Sequence, residues 1–258
     1  MPTRQGAPLG APTWIDLSSS DTAHAQAFYG TVFGWTFEAA GPDYGGYINA
    51  ATKDGHRVAG LMYNDPQWNA PDAWTTYFHT ADIKATVKAA TAAGATSCVE
   101  PMEVKDKGWM AMLTDPAGAV LGLWQPTGHA GFDVIGEAGT PVWHELTTRD
   151  FAKAVDFYRD VLGWQTEYES DTDEFRYLTG NFDGEQLLGV MDGASFLPDG
   201  VPSHWLFYLG CEDVDKTLEL VSQNGGRVLK PANDTPYGRL AQVADPTGAV
   251  FNLSSLRG

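Results

Sequence analysis

The feature that most constrains this chain is that it is written twice. WIDLSSSDTAHAQAFYGTVFGW at 14–35 lies over WHELTTRDFAKAVDFYRDVLGW at 143–164 without a gap, so the tryptophans, Leu17/Leu146, Asp21/Asp150, the FY pairs and the GW pairs coincide. Downstream, DGHRVAGLM (54–62) matches DGEQLLGVM (183–191), WTTYFHTAD (74–82) matches WLFYLGCED (205–213), and DPAGAV (115–120) matches DPTGAV (245–250). Self-similarity at a fixed period marks a repeated structural unit. The chain therefore reads as two homologous domains, 10–127 and 141–258, joined by a linker at 128–140 whose glycines suit a connection between them.

Each half divides again. A short strand pattern ends in Asp21 or Asp150, natural N-caps, and runs into AHAQAFYGTVF or AKAVDFYRDVL with apolar residues at helical spacing. Gly34 and Gly163 stop these helices. The second quarter repeats the plan with strand TTYFHTA, cap Asp82, helix IKATVKAATAAG and stop Gly94, and its partner is LFYLGCED followed by VDKTLELVSQNGG. Short β-rich pieces broken by DG or DPxG turns follow every helix and favour hairpins. The unit is βαβββ, and it occurs four times in an α+β chain.

Bulk properties exclude several function classes. A net charge of −17, from 33 acidic against 16 basic residues, repels phosphate backbones and anionic lipid, so nucleic acid and membrane are excluded as partners. No apolar run approaches the roughly 20 residues that span a bilayer, and MPTRQGAPLGAP lacks the apolar core of a signal peptide, so a cytoplasmic location is expected. Cys98 and Cys211 are too few and too distant in sequence for a CxxC metal site and are expected as buried free thiols. There is no GxSxG elbow, no phosphate-binding loop and no GxGxxG after a strand.

The strand–Asp–helix–FYxxxxGW pattern in the first module of each half, with the late DPxG turn and strand in the second, resembles the vicinal oxygen chelate superfamily of glyoxalase I, extradiol dioxygenases, fosfomycin-resistance enzymes and bleomycin-binding proteins. It looks closest to the tandem two-domain actinobacterial type. The resemblance implies paired βαβββ modules closing around a U-shaped cleft, with metal ligands on inward strand faces about seven residues before the capping Asp and four after the Gly of DPxG. Here those positions hold Trp14, Trp143, Thr75 and Leu206, then Gly122 and Asn252. A divalent metal wants three or four converging N, S or O ligands, which this set does not offer, so neither metal nor cofactor is expected.

Strand parity sharpens the site. Successive side chains point to opposite faces, so His144 and Glu145 cannot share one cleft, and if Trp143 faces inward Glu145 does too. The same alternation gives inferred linings of Trp14, Asp16, Tyr77, His79 and Trp124 in one half, and Trp143, Glu145, His204, Tyr208 and Asn252 in the other. His24, His56 and His129 read as exposed helix, turn and linker residues. The lining suits a small aromatic or apolar metabolite held by Trp14, Tyr77, Trp124, Trp143, Tyr208 and Asn252, with Asp16, Glu145, His79 and His204 as acid/base or polarising groups. Three functions stay open: a metal-independent tailoring or accessory enzyme of natural-product metabolism, a metal-dependent glyoxalase or dioxygenase, and an antibiotic-sequestering binder. The chain is expected as a monomer or homodimer.

Overall fold

The computed structural model describes residues 4–256. The first half runs β1 (Pro12–Ser19), α1 (Thr22–Phe33), β2 (Thr36–Ala39), β3 (Ile48–Ala51), β4 (Arg57–Tyr63), then β5 (Ala73–His79), α2 (Ile83–Ala92), β6 (Thr96–Val104), β7 (Gly108–Thr114) and β8 (Val120–Pro126). The second half repeats it as β9 (Pro141–Thr148), α3 (Phe151–Leu162), β10 (Gln165–Asp171), β11 (Arg176–Phe182), β12 (Glu185–Asp192), then β13 (His204–Cys211), α4 (Val214–Gln223), β14 (Arg227–Thr235), β15 (Gly238–Ala244) and β16 (Val250–Ser255). The four βαβββ modules are thus present in order.

Local chemistry sets the helix limits. Asp21, Asp82, Asp150 and Asp213 each accept the backbone N–H three residues on, satisfying a donor that the first helical turn leaves unpaired. Gly34 and Gly163 both close their helices at φ 70, a left-handed conformation in which a Cβ would be strained.

Each half forms one eight-stranded sheet, ordered β2-β3-β4-β1-β5-β8-β7-β6 and β10-β11-β12-β9-β13-β16-β15-β14. In the first sheet β1 pairs in parallel with β4 and antiparallel with β5, so the leading strands of the two modules lie side by side at the centre. β9 stands in the same relation to β12 and β13. Strand alternation then gives each sheet one face toward the helices and one toward a cleft.

The helix-bearing faces belong to both halves at once. One core joins Ile15, Leu17, Phe28 and Tyr29 of the first half to Phe207 and Phe251 of the second, and the other joins Phe78 and Leu121 to Leu146 and Tyr158. Buried hydrogen bonds cross the seam in matched pairs. The Tyr29 hydroxyl donates to Asp245 at 3.1 Å and Tyr158 to Asp115 at 2.9 Å, which ties the FY motif of each half to the DPxG turn of the other. The GW tryptophans do the same: Trp35 Nε1 donates to the Gly139 carbonyl at 2.7 Å and Trp164 Nε1 to Gly10 at 2.8 Å. The sequence repeats at these positions because the contacts do.

Candidate functional site: two clefts with one polar quartet

β9 carries Trp143 and Glu145 on its cleft face, as parity requires, while His144 points the other way. There His144 is buried between Phe132 and Phe207, with its Nδ1 3.4 Å from the Thr76 hydroxyl, and burial pushes its pKa down to about 3.

Around Glu145 four side chains form a chain of donors. Trp143 Nε1 donates to the Tyr177 hydroxyl at 3.0 Å, and Tyr177 donates to Glu145 Oε2 at 3.1 Å. Tyr208 donates to the other carboxyl oxygen at 3.1 Å. Tyr177 comes from β11 and reaches Glu145 across β12 because Gly189, paired with Glu145, presents no side chain; a Cβ there would overlap the hydroxyl. Burial raises the pKa of Glu145, and the two tyrosine hydrogen bonds and the charge of Lys230 offset part of that. Burial and the neighbouring Glu145 charge raise both tyrosine pKa values in turn.

This quartet forms the floor of a cavity of about 680 Å³, whose walls include Phe175, Met191, Tyr237 and Leu240. A volume in the usual range for small-molecule sites, lined mainly by aromatic and apolar groups around a few polar ones, can hold and orient a drug-sized ligand. At one side Glu169 Oε1 accepts from Thr179 and Gln186 at 3.3 and 3.2 Å.

The first half carries the same quartet. Trp14 Nε1 donates to the Tyr47 hydroxyl at 2.8 Å, and Tyr47 and Tyr77 both hydrogen-bond Asp16. Gly60, paired with Asp16, opens the sheet for Tyr47 as Gly189 does for Tyr177. Here, however, the cleft is filled. The ring of His129 stands edge-on to Trp14 at 4.5 Å between centroids and beside Trp124, whose Nε1 donates to the His129 carbonyl. Arg57 donates to His129 Nδ1 at 3.1 Å and forms a two-point ion pair with Asp133, pinning the connecting segment. Contacts of Tyr44 with Asp106 and of Asp43 with Lys105 close the β6–β7 hairpin over it. Asp16 is consequently 7% exposed, and burial carries its pKa to about 7 against the pull of the two tyrosine hydrogen bonds.

Several sequence expectations are corrected. His129 is not an exposed linker residue: it is half-buried, its pKa is pushed down to about 4 by burial and by the Arg57 charge, and its buried Nε2 has no hydrogen-bond partner. His79 meets no acid, because at the strand end its Nδ1 is taken by the Ala7 carbonyl at 2.7 Å. His204 lies at the start of β13 with Nδ1 on the Pro202 carbonyl at 2.9 Å, outside the cavity wall. Trp124 packs on His129 and offers no open platform, and Asn252 is buried with its Oδ1 accepting from Gln242 at 3.1 Å. Cys98 is exposed, while Cys211 is buried and its thiol pushed up to about 11. Tyr47 and Tyr177 escaped the sequence reading. Each sits next to a loop of different length in the two halves, and only its matched glycine, Gly60 or Gly189, signals the approach.

A divalent ion does not fit these donors. Each carboxyl is held by two tyrosine hydroxyls, tryptophan fills the neighbouring strand position, and among the described residues no three His, Cys, Asp or Glu side chains converge.

The model of the Glyoxalase/Bleomycin resistance protein/Dioxygenase superfamily matches residues 12–123 and again 140–253. The chain belongs to this superfamily. Within it, the chain is 36% identical over 266 residues to the anthracycline biosynthesis protein DnrV of Streptomyces peucetius, covering 96% of this chain and 94% of that protein. It is 33% identical over 257 residues to CFP32 of Mycobacterium tuberculosis, covering 98% and 97%. Among solved structures, the Mn(II)-bound glyoxalase from Novosphingobium aromaticivorans shares the fold at a TM-score of 0.65 and 16% identity, over 97% of this chain and 84% of that one. The 2,3-dioxygenase LapB from Pseudomonas sp. KL28 does so at 0.65 and 14%, over 96% and 93%. Superfamily membership settles the fold, and the function has to be argued from the cleft.

Proposed function

We propose that the second-half cleft takes up a small, flat aromatic or apolar metabolite without a metal ion, and that it does so in natural-product metabolism or resistance. The observation that carries this reading is the aromatic cavity with a single deep carboxyl, Glu145, held by Tyr177 and Tyr208. Aromatic walls favour a planar ligand by offset and edge-on contacts, and one polar group at the floor orients it. The likeness to DnrV, whose name places it in anthracycline biosynthesis, supports an aromatic ligand class.

Chemically, Glu145 is the group able to move a proton. Its raised pKa brings it nearer neutrality, where a carboxyl can both donate and accept, and the tyrosine hydroxyls stabilise the ionised form when it arises. A tailoring step at this site would use Glu145 as general acid or base. A purely sequestering protein would use it as a hydrogen-bond anchor.

The test is titration with anthraquinone, followed by tryptophan fluorescence and by thermal unfolding. Saturable quenching with a rise in Tm that tracks occupancy supports the reading, and no binding overturns it. Mass spectrometry after prolonged incubation with the bound compound separates turnover from sequestration. A stoichiometric divalent ion that the purified protein retains and Glu145→Gln loses would overturn the metal-free part.

A further inference from the structure

One matched pair of residues separates the two clefts in size. DPAGAVLGLW (115–124) lies over DPTGAVFNLS (245–254), so Ser254 stands where the first half has Trp124. The sheets agree, because Trp124 of β8 pairs with Met110 of β7 as Ser254 of β16 pairs with Leu240 of β15. In the sealed cleft the Trp124 ring lies 5.7 Å from that of His129, and its Nε1 donates to the His129 carbonyl at 2.8 Å. In the open half Ser254 and Leu240 are part of the cavity wall, and the Ser254 hydroxyl donates to the Ser255 carbonyl at 3.0 Å. The frame around the pair is the same in both halves. A Cβ on Gly108 would come within 2.7 Å of Trp124 Cζ2, and Gly238 holds the matching place at the start of β15, so an indole at 254 would find the same glycine beside it.

Ser254 sits to one side of the polar quartet. β9, β13 and β16 are consecutive in the sheet. Trp143 and Glu145 are on β9, Tyr208 is on β13 opposite Trp143, and Ser254 is on β16 opposite Gly210, two residues along β13 from Tyr208. The step from the strand of Glu145 to that of Ser254 is two strand spacings, or roughly 10 Å at the usual interstrand distance. A ligand with one ring over Glu145 has to pass Tyr208 to reach the space beside Ser254. A single ring is too short for that, and a fused polycycle is not.

We propose that Ser254 sets the length of ligand this cleft accepts: the space that Trp124 takes up in the first half is left, in the second, for the far ring of a fused polycyclic aromatic ligand whose near ring lies over Glu145. The inference rests on the aromatic-ligand reading above and narrows it to ring systems too long for a cleft with tryptophan at this position. Size does the selecting, because the Ser254 hydroxyl is already engaged by a backbone carbonyl. Interiors are close-packed, so an indole and a ligand ring cannot share one place.

The experiment is equilibrium dialysis of the whole chain with chromone and xanthone, neutral ketones that differ by one fused benzene ring. The parent should bind xanthone about tenfold or more tighter than chromone, through the apolar area of the added ring. Ser254→Trp should erase that ratio, Ser254→Leu should reduce it in part, and Ser254→Ala, which keeps the room and loses the hydroxyl, should retain it. Thermal unfolding checks that each variant folds; if Ser254→Trp does not, the comparison of Ser254→Leu with Ser254→Ala decides. A parent ratio near one, a ratio untouched by the larger side chains, a ratio that Ser254→Ala also erases, or a loss of chromone as large as that of xanthone would overturn the length assignment and leave the aromatic reading standing. Failure of both ketones to bind the parent would overturn both.

Discussion

The two clefts share a blueprint and differ in access. Trp14, Tyr47, Asp16 and Tyr77 make the same hydrogen-bonded quartet as Trp143, Tyr177, Glu145 and Tyr208, built on equivalent strands and spared by equivalent glycines. In the first half the connecting segment lays His129 into the cleft and the surrounding loops close over it; in the second a cavity of about 680 Å³ stands over the quartet. The comparison teaches that the quartet by itself is a structural device of the fold, since it persists where His129 packs over it. What makes it a site is the space above it.

The largest expected effect breaks the comparison at the acids. With a folded pKa of about 7 against 3.8, Asp16 favours the fold only while protonated, so its contribution is full below pH 4, is lost as pH rises toward 7, and is flat above. The linked cost is on the order of 4 kcal/mol at alkaline pH. His144 and His129 work in the opposite direction, because a depressed histidine pKa costs stability as pH falls below its unfolded value. The raw profile of the parent protein therefore mixes both signs. Subtracting it from the profile of Asp16→Asn isolates the acid, and the variant should gain about 4 kcal/mol relative to the parent between pH 4 and pH 8 by chemical denaturation. A difference that stays constant with pH would show that Asp16 titrates as an ordinary surface carboxyl.

Where the halves are equivalent, equivalent losses are expected. Tyr29→Phe and Tyr158→Phe each deprive a buried carboxylate across the seam and a tryptophan N–H of the same half of a partner, Asp245 and Trp74 in one case and Asp115 and Trp205 in the other. Each should cost about 1–3 kcal/mol in urea unfolding, by the desolvation of groups left unpaired. Because both cores draw on both halves, unfolding should remain a single transition in each variant. Two separated transitions would mean that the halves stand alone.

Ligand binding should separate them again. Glu145→Gln keeps the shape of the floor but can no longer accept from both tyrosines, so anthraquinone affinity is expected to fall about tenfold, roughly 1.4 kcal/mol. Asp16→Asn should leave it unchanged. Equal losses from both would assign the binding to the sealed half as well.

How much of this was legible follows from what repeats. The duplication, the helix caps and the four modules were readable because cross-half contacts such as Tyr29 with Asp245 and Tyr158 with Asp115 hold both copies to the same residues. Strand parity put Trp143 and Glu145 on one face and His144 on the other, which depends only on backbone geometry. Parity does not say how far along a strand the cleft extends, and that is why His79 and His204, both at strand ends, were grouped with the acids and are instead taken by backbone carbonyls. Tyr47, just before β3, and Tyr177, in β11, reach the acids from beside loops that have drifted in length, and a glycine on the one intervening strand is a faint cue. The sealing of the first cleft was invisible, because a connecting segment has no periodicity from which the position of His129 could be read.

The smallest effect concerns the seal itself. His129 contributes its ring contacts to Trp14 and Trp124 but also keeps a buried Nε2 without a hydrogen-bond partner, and these terms oppose each other. His129→Ala should therefore change stability by less than about 1 kcal/mol at pH 7, where the imidazole is neutral. Its consequence should be seen in stoichiometry. With Arg57 and Asp133 still paired, the connecting segment stays in place, so the vacated space is that of one imidazole and too small for a three-ring ligand. Calorimetry with anthraquinone should still give one site per chain for His129→Ala. The double variant Arg57→Ala/His129→Ala also releases the segment from the sheet, and a second, weaker site should then appear over Trp14 and Asp16. If His129→Ala alone yields two sites, the ring is the whole barrier, and the difference between the clefts reduces to a single side chain.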